Sequence, residues 1–263
     1  MRVGSLELHE DLGPSDWIAH RIHDFAVDVG SVIPEGFDAY VRLLHPALRE
    51  EDGGRVPVSW SEIAAANGRT VHAEMRWPDI SGVWKDSEQQ VPGLWDQEPD
   101  VGTLPRTYAA ILSDLLAAHT STPDQVWYCV WAGWGGLKFH PVGRAMFTSR
   151  RPLRLRRRVQ PPAPAPCVQL PSREYYLLSG PISGVNESLE EPPSSQSANL
   201  WWPDDRAWCV AIEIDFASTY VGGSKGLIRE LVQHPDLEGI QTKINHAITG
   251  RADTVDPPPP SRR

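Results

Sequence analysis

Residues 199–224, NLWWPDDRAWCVAIEIDFASTYVGGS, decide how the rest of the chain is read. Residues 207–216 alternate with the two-residue period of a strand. Trp208, Val210, Ile212, Ile214 and Phe216 fall on one face, and Cys209, Ala211, Glu213 and Asp215 on the other. The first face is wholly apolar. The second begins small and apolar and ends acidic, which predicts a strand covered at one end and open at the other. Glu213 and Asp215 stand two residues apart, so on an extended strand their Cα atoms are roughly 6.6 Å apart. Two carboxylates at that spacing suit general acid/base chemistry, or a hard cation with a third ligand. They equally suit a plain solvent-facing strand end, the commonest setting for Asp and Glu.

Upstream, Trp201-Trp202-Pro203-Asp204-Asp205-Arg206 reads as a turn carrying two large aromatics. Pro203 biases Trp202 to an extended backbone, and paired Asp residues favour turns. Downstream, Val221-Gly222-Gly223-Ser224 reads as a glycine hinge, with Ser224 capping a helix whose Leu227, Ile228, Leu231 and Val232 share a face. The hinge lacks the spacing of a phosphate-binding P-loop.

Working outward, residues 125–134 (QVWYCVWAGW) are apolar or aromatic on both faces, as a central strand covered on both sides must be. Residues 173–179 (REYYLLS) and 37–44 also carry strand character. Residues 104–118 form the strongest helical stripe: Leu104, Tyr108, Ile111, Leu112, Leu115 and Leu116, with Pro105 tolerated in the first turn. Ser59-Trp60-Ser61-Glu62 has capping-box spacing ahead of a short helix that ends at Gly68. A helix is also predicted over 14–29, with Ser15 as cap and His20, Asp24 and Asp28 along one side beside His23. That set lacks the further His and Asp residues of a helical metal site, so a solvated face is the simpler meaning. Residues 70–103, with Trp77, Trp84 and Trp95 among Pro, Gly and Asp, read as a long irregular segment.

The expected architecture is a single α+β domain over 1–250: a mixed or antiparallel sheet with helices packed on it, rich in loops. Within it, residues 150–171 are an Arg/Pro-rich loop or linker, and 251–263 a disordered, proline-rich tail.

The 263 residues carry a formal charge of −9, which argues against a general binder of nucleic acid or anionic membranes. The run from Arg150 to Arg158 is the one stretch resembling a nucleic-acid arm, and the acidic remainder competes with phosphate for it. Cys129, Cys167 and Cys209 have neither metal-ligand spacing nor the even number of a disulfide framework. Cys129 and Cys209 sit in apolar strand patterns as small buried residues. Without a signal-peptide core or an apolar run of about eighteen residues, a cytoplasmic protein with no membrane contact is expected.

The segments GFDAYVRLLHPA, VSWSEIAA, QVWYCVWAGWG, REYYLLSGP and residues 199–224 together resemble an uncharacterised family of high-GC bacterial cytosolic proteins, over most of residues 27–237. The resemblance implies no activity and no catalytic residue.

Two functions follow. The eleven tryptophans suit aromatic anchors, so the first is a non-enzymatic binding or interaction protein with an unknown protein partner or small-molecule ligand. Its candidate binding surface is Trp131, Trp134, Trp201, Trp202 and Arg206, the last of which would serve the enzyme alternative below as an anion clamp. The second is a hydrolase-type enzyme with Glu213 and Asp215 as its acid/base pair. The chain contains no G-x-S-x-G elbow, H-E-x-x-H, P-loop or dinucleotide fingerprint, and no cofactor or metal is expected.

Overall fold

In the computed structural model of the chain, residues 1–23, 27–83, 89, 91–138, 165–190 and 195–256 are described. Asp24, Trp84, the Arg150–Arg158 run and residues 257–263 lie outside the described residues.

The aromatic and β-branched runs form the centre of an antiparallel sheet. Strand β6 (Val126–Trp131) pairs with β8 (Arg173–Gly180), setting Tyr128 opposite Leu178, and with β9 (Leu200–Pro203), setting Tyr128 opposite Trp201. Beyond β9 come β10 (Cys209–Ala211), β11 (Ser218–Gly223), β3 (Ala39–Leu44) and β12 (Glu238–Thr242). Beyond β8 come β2 (Leu6–Leu8) and β1 (Arg2–Val3), and β7 (Val168–Leu170) also pairs with β8. A separate hairpin joins β4 (Ala47–Glu51) to β5 (Gly54–Val58). The chain is sheet-dominated α+β, and every strand pair described is antiparallel.

The pleat sorts side chains to two faces. On one, Val126, Tyr128, Val130, Trp201, Trp208 and Val210 share a core cluster with two helices. The first, α4 (Arg106–Ala117), contributes Tyr108, Leu112 and Leu116; the second, α5 (Lys225–Gln233), contributes Leu227, Ile228 and Leu231. On the other face, Trp127, Cys129, Trp202, Cys209, Ala211 and Tyr220 cluster with Trp17, Ile18, Val29 and Ile33. Cys129 and Cys209 are fully buried. A third cluster gathers Leu44 and Val58 with α2 (Trp60–Ala66) and α3 (Trp77–Ser81).

Local signals explain the helix starts. The Ser59 hydroxyl accepts from the Glu62 backbone N–H (3.0 Å), and the Ser224 hydroxyl accepts from that of Leu227 (3.2 Å). The Glu238 carboxylate also accepts from the first backbone N–H groups of α2, at Trp60 (2.6 Å) and Ser61 (2.7 Å).

Several expectations are corrected. The strand read over 207–216 stops at Ala211, and the chain turns at 214–215 to return as β11. The alternation persists through Glu213, but two tertiary contacts favour reversal. Arg173 holds the Glu213 carboxylate (2.6 Å), and Gly102, at φ +72°, packs on the Ile214 carbonyl where a Cβ would collide. Gly222 and Gly223 are strand residues of β11 and form no hinge. A Cβ at Gly222 would meet the Phe37 ring at 2.6 Å, so the glycine lets that ring lie on the sheet.

The helix read over 14–29 shrinks to α1 (Asp16–Ala19) after a 3₁₀ turn (Gly13–Ser15). One turn suffices to bury Trp17 and Ile18, and the chain then leaves to pair the Glu35 N–H with the Arg21 carbonyl (2.8 Å). Ser15 makes no side-chain cap; its hydroxyl donates to the Leu12 carbonyl (2.7 Å). Within 70–103 the chain forms α3, begun by Pro78 in its first turn and ended by left-handed Gly82. In the stretch read as a proline-rich tail, Ala252 and Asp253 are buried, and His72 pairs with Asp253 (3.1 Å). No helix among the described residues is long and apolar enough to cross a membrane.

Candidate functional site

Trp201 and Trp202 are buried and cannot form a surface groove, which corrects the expectation that they do. They occupy consecutive positions of a central strand, so the pleat sends them into opposite cores. Trp201 stacks on Tyr128 (6.1 Å) and meets Trp208 edge-on (5.2 Å), while Trp202 meets Trp17 edge-on (5.9 Å). Arg206, exposed and at φ +56°, lies over the Trp17 ring (5.5 Å).

The remaining predicted residues meet around Arg173, which sequence reasoning did not single out. Its guanidinium lies over Trp131 (5.7 Å), pairs with Glu213 (2.6 Å) and reaches Asp215 (3.5 Å); Trp131 in turn meets Trp134 edge-on (5.4 Å). Glu213 is nearly buried, with a 6% exposed side chain, whereas that of Asp215 is 73% exposed. Burial raises the Glu213 carboxyl above its ordinary range, and the Arg173 charge opposes that shift. The two carboxyls line different spaces. Glu213 borders a void of about 10 Å³, at the lower limit for admitting one water, and Asp215 borders a cavity of about 330 Å³.

That larger cavity is the candidate site, on the strength of its charged and aromatic lining. Its floor is Arg42 in the middle of β3, on the same side of the strand as Tyr40 and Leu44, where the second and third clusters divide. The guanidinium lies over Trp60 (5.5 Å) and Tyr220 (6.0 Å). Nε donates to the Ser218 hydroxyl (3.1 Å), and Nη1 donates to the carbonyls of Ala73 (3.0 Å) and Met75 (2.7 Å). No carboxylate among the described residues pairs with Arg42. Its Nη2 makes no hydrogen bond among them, and it is not among the solvent-excluded atoms that lack a partner. Trp77, edge-on to Trp95 (5.2 Å) and tilted on Trp60 (5.5 Å), forms an aromatic wall.

Residues 247–252 close another side. Their backbone is tied down by the Glu74 carboxylate, which accepts from the Ala247 N–H (2.8 Å), and by Arg76, which donates to the Gly250 carbonyl and pairs with Asp79 (2.9 Å). The wall containing Glu98, Pro99 and Val101 is anchored from behind by His45. His45 Nδ1 donates to the Asp100 carbonyl (2.6 Å), which leaves Nε2 to accept from the Thr219 hydroxyl (2.8 Å). Burial lowers the His45 pKa to about 4, so the ring is neutral at pH 7.

A wider depression of about 730 Å³ lies between Pro57, Tyr108 and Glu238. There both Glu238 oxygens are engaged at the start of α2, and Arg55 reaches Glu50 (3.4 Å) and Gln97 (3.0 Å). The legible signal for the Arg42 cavity was one charge set within an apolar strand, YVRLL; its aromatic walls come from three separate segments. No family model, curated protein or solved structure matches the chain.

Proposed function

We propose that the chain is a non-enzymatic binding protein whose ligand is a small organic molecule held in the Arg42 cavity. The observation that carries this is the guanidinium itself: braced by Ser218, two backbone carbonyls and two aromatic rings, it keeps a donor nitrogen without a hydrogen-bond partner among the described residues. Burying even part of a cation without a counter-charge is costly, so a ligand group that meets it is well rewarded. The volume of about 330 Å³ sits at the small end of the range typical of ligand pockets, roughly 300–1,000 Å³. Aromatic anchoring is thereby kept from the sequence-based expectation but moves from Trp201 and Trp202 to Trp60, Trp77 and Tyr220.

The test is thermal-shift and tryptophan-fluorescence titration with a panel of low-mass carboxylates, amines and amino acids. A binder present at a hundred times its Kd stabilises the fold by about 2.7 kcal/mol. The expected result is a saturable shift with at least one class, quenched emission, and loss of both in a folded Arg42→Met variant. A panel without any shift, or a shift unchanged in Arg42→Met, overturns the proposal.

A further inference from the structure

Resting on that cavity being a ligand site, we infer that its ligand is a zwitterion of the α-amino-acid type, with its carboxylate on Arg42 and its ammonium group at Glu74 and Glu98. Both acids line the same cavity as Arg42, and neither makes an ion pair among the described residues. One oxygen of each is used: Glu74 accepts from the Ala247 N–H (2.8 Å) and Glu98 from the Trp77 indole N–H (3.3 Å). The second oxygen of each makes no hydrogen bond among the described residues.

Arg42 and Glu74 do not neutralise one another because backbone contacts hold them apart. Nη1 of Arg42 is fastened to the carbonyls of Ala73 and Met75, the residues on either side of Glu74, while the Glu74 side chain is drawn to Ala247. Charges of both signs, without ion-pair partners among the described residues, therefore line one small space. A simple anion meets Arg42 but leaves the carboxylates of Glu74, Glu98 and Asp215 lining the same cavity. A simple cation meets the carboxylates, but Arg42 already lies against the rings of Trp60 and Tyr220. A molecule with both charges satisfies both ends. The apolar part of the same lining, from Met75, Trp77, Phe216 and Ile248, suits a hydrocarbon side chain.

Isothermal titration of the full chain with two matched sets tests this. One set is phenylalanine, 3-phenylpropanoate and phenethylamine; the other is leucine, 4-methylpentanoate and isopentylamine. Within a set only the charges change. At least one amino acid is expected to bind tenfold or more tighter than both of its singly charged analogues. Glu74→Gln combined with Glu98→Gln, which keeps both accepting oxygens, should bring that amino acid down to the affinity of its carboxylate analogue. Arg42→Met should abolish binding of the amino acid and the carboxylate while sparing the amine. If a carboxylate or an amine binds as tightly as its amino acid, the zwitterion assignment fails and the cavity remains a ligand site. If neither amino acid binds, the assignment also fails, and a silent wider panel would then remove the cavity reading as well.

Discussion

Trp201 and Trp60 are both fully buried indoles, yet they stand in opposite kinds of place. Trp201 lies between Tyr128 and Trp208, with helices α4 and α5 closing the same cluster around it. The Trp60 indole N–H donates to the His45 carbonyl (2.7 Å), and one side of its ring carries the Arg42 guanidinium beside a cavity. Around Trp201 the cluster is built of apolar and aromatic side chains, which pack without a charge to accommodate. Around Trp60 a charged side chain occupies a pleat position that a Val or Leu would have filled. A guanidinium keeps its remaining donor accessible, so the walls stop short of it. Aromatic abundance therefore says little about where a protein binds. What marks the site is the charge that the aromatics surround.

The largest effect should come from breaking the closed region. Trp201→Ala removes a ring from a packed centre and is expected to cost about 3–5 kcal/mol, read as a lower urea midpoint. A loss below about 1 kcal/mol would mean that this region is not tightly packed, and the contrast with the cavity would collapse.

Acid should act next, and on the cavity side. The folded His45 pKa of about 4 lies below the ordinary 6.5, so the unfolded chain binds the extra proton first. The stability from this group is present above pH 6.5 and is lost as pH falls toward 4, by about 3 kcal/mol in all. Urea unfolding between pH 7 and 4.5 should show that slope, and His45→Gln should flatten it. An identical slope in the variant would place the acid sensitivity elsewhere.

The smallest effect concerns how Trp60 is seated. Ser59→Ala deletes the side-chain cap of α2 and should cost about 1 kcal/mol. A cost near zero would show that Glu238, reaching the same helix start from β12, holds it unaided.

Much of the frame was legible wherever one local rule governed. Ser59 and Ser224 cap their helices because a hydroxyl at that position meets an orphan N–H in any context. The stripe Tyr108, Leu112, Leu116 buries one side of α4, and β6 is covered on both faces, as its uniformly apolar sequence requires. The alternation around Cys209 correctly separated Trp208 and Val210 from Cys209 and Ala211. The candidate site was far less legible. Asp215 does border the cavity, and Arg173 does gather Trp131, Glu213 and Asp215. Arg42, Glu74, Trp77 and Tyr220 were passed over, because residues so far apart in the chain share no local pattern.

By itself, then, the sequence determined where the capped helices α2 and α5 start and which sides of α4 and β6 must be apolar, since caps and periodicities act over a few residues. Tertiary structure decided where the 207–216 run reverses, which of two adjacent tryptophans enters which core, and what surrounds Arg42. Each of those depends on a partner more than thirty residues away: Arg173 for Glu213, Tyr128 for Trp201, and the carbonyls of Ala73 and Met75 for Arg42. Such contacts form only after the chain has closed long loops, and no window of local sequence records them.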